Sequence, residues 1–86
     1  MAVTPQNGSM GRIIESVALE LLRAIDAEWM EQGNLSKCKA LVAIARDVCE
    51  SQEEFDKVHR YLWDRRLIEG CKPSRWESGK AVRPRL

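Results

Sequence analysis

Apolar residues recur every three or four positions from Arg12 to Gln32. Ile14, Val17, Ala18, Leu21, Ile25 and Trp29 share one stripe, widened by Ile13, Leu22 and Ala24. Glu15, Glu20, Asp26 and Glu31 fall largely off it, so the spacing predicts an amphipathic helix over 12–32. Gly33 suits the left-handed position that ends a helix, and Asn34 follows in a turn. A second helix is expected over 35–50, capped by Asn34 or Ser36. Cys38, Leu41, Val42, Ala45, Val48 and Cys49 are spaced for one face, with Leu35 and Ile44 beside them. This segment is apolar on more than half its circumference and is expected to be the most buried helix.

The third helix, expected over 52–69, has the clearest start. Ser51-Gln52-Glu53-Glu54 is a capping box, in which the Ser51 hydroxyl accepts from the Glu54 amide and the Glu54 carboxylate accepts from the Ser51 amide. Its stripe is Phe55, Val58, His59 and Leu62, running on to Leu67 and Ile68. Arg65 and Arg66 lie where a helix dipole favours cations, and Gly70 is the expected stop. Beyond it, two short extended pieces, 68–72 and 80–85, can pair as a hairpin. Pro84 is expected to confine the second piece to an edge or to end its pairing. Residues 1–11 are polar, contain Pro5, Gly8 and Gly11, and read as a flexible lead-in to a single domain over 12–86.

Charge divides the chain. The total of 14 basic and 13 acidic residues is nearly neutral, which excludes a bulk polycation or a strongly acidic nucleic-acid mimic. Residues 70–86, however, hold Lys72, Arg75, Lys80, Arg83 and Arg85 against Glu77 alone. The preceding 69 residues carry a small acidic excess.

Ile44 to Leu62 reads as two helices packed across a tight break near residue 50. With Ile44-Ala45-Arg46-Asp47-Val48-Cys49-Glu50-Ser51 as its first half, and Phe55, Val58, Leu62, Leu67 and Ile68 as buried positions of its second, the stretch from about 41 to 85 resembles the winged helix-turn-helix superfamily. The resemblance implies a mostly α fold: a three-helix helix-turn-helix core followed by a short C-terminal β-hairpin wing or extended basic tail. It also implies a small DNA-binding regulator acting on double-stranded DNA. Gln52, Lys57 and Arg60 of the third helix would contact the major groove, with Lys72, Arg75, Lys80, Arg83 and Arg85 on the phosphate backbone. A homodimer through the first helix fits the same resemblance. Two features depart from it. Cys49 stands where the turn usually has Gly, and Glu50 where it is usually apolar. The start of the third helix carries Glu53, Glu54 and Asp56, which phosphates repel, although a carboxylate can accept from cytosine N4. The alternative is a protein-binding adaptor or inhibitor of the kind phages and mobile elements encode. It would use Tyr61, Trp63 and Trp76 on a partner.

Enzymatic chemistry has little support: there is no Gly-rich phosphate loop, no pair of carboxylates in an obvious cleft and no Ser or Cys beside a plausible base. No cofactor is expected. Cys38, Cys49, His59 and Cys71 match no metal-ligand spacing, so buried structural thiols and a packed, hydrogen-bonded His59 are expected. An odd number of cysteines without a CxxC pair fits a reducing compartment. No apolar run spans a membrane and no leader pattern opens the chain, which predicts a cytoplasmic protein without a membrane partner.

Overall fold

A computed structural model describes residues 13–73 and 79–85. The chain is mostly helical: α1 (Ile14–Gln32), a 3-10 turn (Leu35–Lys37), α2 (Leu41–Ala45) and α3 (Gln52–Asp64) precede two short strands. These strands, β1 (Ile68–Glu69) and β2 (Arg83–Pro84), pair antiparallel, with Ile68 opposite Pro84 and Glu69 opposite Arg83. Among the described residues no helix is long and apolar enough to cross a membrane.

α1 follows its apolar stripe. Val17, Ala18, Leu21 and Ile25 are buried, and Gly33 closes the helix at φ 67°, its N–H donating to the Trp29 carbonyl at 2.8 Å. That left-handed geometry is easily reached by glycine. α1 packs against α2, α3, β2 and the 3-10 turn. The core joins its four buried residues to Leu41, Ile44 and Ala45 of α2 and to Phe55, Val58 and Leu62 of α3. Ile68, Cys71 and Val82 of the hairpin complete it.

The second helix is much shorter than its hydrophobic pattern suggests. Asn34 caps only the 3-10 turn, its Oδ1 accepting from the Ser36 N–H at 2.9 Å. The chain is then extended at Cys38 and Ala40. Tertiary partners satisfy its backbone here: the Lys39 N–H donates to Glu28 Oε2 at 2.9 Å, and the Leu41 N–H to the Lys80 carbonyl at 2.8 Å. A continuous helix would have to give up both bonds. Cys38 therefore lies outside a helix. Short as it is, α2 is the most enclosed helix, with Leu41, Ile44 and Ala45 buried and no exposed residue, while Val48 and Cys49 beyond it are partly buried. After Ala45 one further helical turn persists, the Cys49 N–H donating to the Ala45 carbonyl at 2.7 Å, before α3 restarts at Gln52. The expected break near residue 50 is present.

Ser51 caps α3, its Oγ accepting from the Glu54 N–H at 3.1 Å, an interaction that stabilises a helix by about 1 kcal/mol. The return bond differs from the expected box: Glu54 Oε1 accepts from the Glu50 N–H at 2.8 Å. α3 ends at Asp64 and does not run on to residue 69. Arg66 adopts φ 59°, its N–H donating to the Trp63 carbonyl at 2.9 Å. The Leu67 N–H donates to the Leu62 carbonyl, also at 2.9 Å. This is a Schellman closure with arginine at the left-handed position. Gly70, the expected helix stop, instead lies beyond β1.

Gly70 holds φ 116°, and a Cβ there would sit 3.0 Å from the Ala81 carbonyl oxygen and 3.4 Å from Val82 Cα. Both neighbours are backbone, so the strain cannot be relieved by turning a side chain. Gly70→Ala is expected to cost about 2 kcal/mol, read as a lower urea midpoint at unchanged slope. A shift worth less than about 0.5 kcal/mol would show that the two limbs of the hairpin are not held this close.

Candidate nucleic-acid interface

The outward face of α3 carries Gln52, Glu53, Asp56, Lys57 and Arg60, all exposed. They follow from the helical period: with Phe55, Val58, His59 and Leu62 turned into the core, these positions must face out. Most of them engage one another. Gln52 Nε2 donates to Asp56 Oδ1 at 3.0 Å. Lys57 Nζ lies 3.9 Å from Glu53 Oε2, in a pair whose side chains are 62% and 81% exposed. Such a pair is weak and salt-screened. Of the three carboxylates at the start of α3, Glu54 is buried in the cap, while Glu53 and Asp56 remain on the surface.

The hairpin supplies the second set of cations. Lys72, Lys80, Arg83 and Arg85 are exposed. Arg83 is engaged by its own fold: Nη2 lies 3.3 Å from Glu69 Oε1, and the guanidinium stands 5.9 Å from the centre of the Trp29 ring. Pairing β1 with β2 places Arg83 directly opposite Glu69, a favourable cross-strand position. Arg75 and Trp76 lie outside the described residues.

Tyr61 and Trp63 are both half-buried and differ in environment. The Tyr61 hydroxyl donates to Glu15 Oε2 at 3.3 Å, and Arg65 stacks on its ring at 4.3 Å. Trp63 stands at the foot of the hairpin, beside a shallow pocket of about 370 Å³ that Arg66, Glu69 and Arg85 also line. Arg66 is a cation that sequence reading assigned to helix termination. The left-handed turn brings it beside Arg85, and no residue pattern announces such a turn at an arginine. Asp64 lines the same pocket, and the described part of residues 64–85 carries six cations and two carboxylates, Asp64 and Glu69.

His59 is 3% exposed, its Nε2 donating to the Cys71 carbonyl at 2.9 Å and its ring stacked on Phe55 at 5.4 Å. It is a packed histidine that ties α3 to the hairpin. Burial holds its pKa below the ordinary imidazole value; the bond to Cys71 and the Asp56 charge oppose that shift, while Arg60 adds to it. The unfolded chain therefore binds a proton before the folded one does as pH falls. Stability from this group is full above about pH 6.5 and declines below it, until the folded histidine also protonates. The urea midpoint is expected to fall as pH drops below about 6.5, and His59→Gln to flatten that decline. An unchanged slope in the variant would assign the dependence to other groups.

None of the three cysteines is in a disulfide. Burial and the Glu28 charge push the Cys38 thiol pKa up, which disfavours its reactive thiolate. Among the described residues no three His, Cys, Asp or Glu side chains are grouped to hold a metal ion. No protein-family model, curated protein or solved structure matches this chain.

Proposed function

We propose that the chain is a small, non-enzymatic DNA-binding regulator of winged-helix type. One observation carries the reading: an exposed helix, α3, follows a tight helical turn and leads directly into an antiparallel hairpin rich in cations. In this reading the hairpin grips phosphates through Lys72, Arg75, Lys80 and Arg85, with Arg83 joining once it leaves Glu69. α3 lies in or beside the major groove, where Arg60 and Lys57 donate to base or phosphate oxygens. Gln52 can pair with adenine after releasing Asp56. Internal pairing on α3 makes base reading costly, so backbone contacts supply most of the affinity.

The same internal pairs favour a second reading. A helix face that neutralises itself and keeps two outward carboxylates, Glu53 and Asp56, suits a protein partner better than a phosphate. In that case Tyr61, Trp63 and Trp76 anchor an adaptor or inhibitor on its partner.

Titration of random duplex DNA at rising salt separates the two. Binding that weakens steeply with salt, and uniformly across sequences when Arg83 and Arg85 are both changed to Glu, supports the regulator. No binding at low salt overturns it. DNA binding that emerges only in Glu53→Ala/Asp56→Ala supports the protein-partner reading.

A further inference from the structure

Two local costs meet at the end of α3. Asp64, its last residue, places a carboxylate at the negative end of the helix dipole. Arg66, two residues on, is the one non-glycine among the described residues with a positive φ, 59°, where glycine would be unstrained. Both side chains line the hollow of about 370 Å³ beside the hairpin, together with Trp63, Ile68, Glu69 and Arg85. Departures of this kind gather at functional sites. Backbone bonds hold the walls of the hollow: the Arg66 N–H donates to the Trp63 carbonyl and the Arg85 N–H to the Leu67 carbonyl, each at 2.9 Å. Glu69 is engaged by Arg83. Among the described residues Asp64, Arg66 and Arg85 have no ion-pair partner, and no ring or guanidinium stacks on Trp63.

The hollow therefore offers an aromatic ring, one uncommitted carboxylate and two guanidiniums. A nucleobase stacks on such a ring. A carboxylate beside it accepts two parallel bonds from guanine, whose N1–H and N2–H donate from one edge. Adenine, cytosine and uracil each present a single donor group on that edge. Guanidiniums take a phosphate through forked N–H donors. We infer that this hollow binds an unpaired guanosine phosphate. The base lies on Trp63, its N1–H and N2–H donate to Asp64, and Arg66 and Arg85 donate to the phosphate oxygens. The volume of the hollow lies in the range of small-ligand sites. In a duplex, guanine commits N1–H and one N2–H to cytosine, so the ligand is a free mononucleotide or a nucleotide of a single strand. The inference goes beyond duplex binding, and a failure to bind duplex DNA leaves it standing.

Isothermal titration calorimetry of the full chain at low salt is the test, with GMP, AMP, CMP and UMP as free ligands. A short oligothymidine carrying one central guanosine, set against the all-thymidine strand, is the strand-borne form. The guanine ligand is expected to bind at least about tenfold more tightly than its counterparts. Asp64→Asn turns one acceptor oxygen into a donor and is expected to cut that preference to below about threefold. Arg66→Gly relieves the left-handed turn and removes a guanidinium. It is expected to keep or raise the urea midpoint while weakening guanine-ligand binding at least about fivefold, a split that a purely structural arginine would not give. A guanine preference confined to the strand makes a single strand the ligand, and GMP binding that the strand does not exceed makes it the mononucleotide. No guanine preference in either form overturns the proposal, as does a preference that persists in Asp64→Asn. Unchanged affinity in Arg66→Gly overturns the assignment of the phosphate.

Discussion

Raising salt from 50 to 200 mM is expected to weaken binding to random duplex DNA by about 150-fold. In the proposed reading Lys72, Arg75, Lys80 and Arg85 meet phosphates, while Arg83 stays paired with Glu69. Four phosphate contacts give a slope of about −3.6 in log affinity against log salt. The α3 carboxylates lower absolute affinity, and because they displace no phosphate counterions they leave this slope largely unchanged. Changing Arg85 to Glu should reduce the slope by about one. Changing Gln52 should leave the slope intact, because an uncharged side chain releases no counterion. Fluorescence anisotropy with a random 20-mer reads both quantities. A slope shallower than about −1 would mean that the hairpin cations do not meet phosphates, and would move the weight of the argument to a protein partner.

Leu21→Ala is expected to lower stability by about 3 kcal/mol, more than a hundredfold in the ratio of folded to unfolded chain. Leu21 is fully buried on the inner stripe of α1. Truncation there loses the transfer free energy of the removed carbons and leaves a cavity between helices. A domain of this size has only about 4–13 kcal/mol in total, so the variant should be substantially unfolded at 37 °C if the parent sits near the lower end. Urea denaturation at 25 °C gives the difference directly. A loss below about 1 kcal/mol would mean that the helices close over the gap, and that α1 does not set their spacing. Leu19→Ala, on the opposite face, is the internal control and should change stability by less than about 0.5 kcal/mol.

Where periodicity and capping agreed, the chain could be read directly. The α1 stripe ends at a glycine that does close it, and the Ser51 cap opens α3. Two boundaries could not be read because tertiary contacts decide them. Residues 38–40 have a helix-compatible pattern, yet Glu28 and Lys80, far away in sequence, take their amide protons. At Arg66 a non-glycine residue accepts a left-handed backbone, at a cost of the order of 1 kcal/mol. Leu67 and Ile68 are thereby turned from a helix into the approach to a strand. The candidate interface was legible to the same extent. Its cations were visible as a charge imbalance, whereas the pairing of Gln52 with Asp56, of Lys57 with Glu53 and of Arg83 with Glu69 emerges only when the chain is folded.

Because α1 lies against α2, α3 and β2 alike, the part of the chain that carries the regulatory resemblance is not a transplantable cassette. Cut free at Leu41, it would keep its cations and lose the wall that encloses Leu41, Phe55 and Val82. Any exchange of binding specificity between this protein and another would therefore have to be made by surface residues alone, on an intact scaffold.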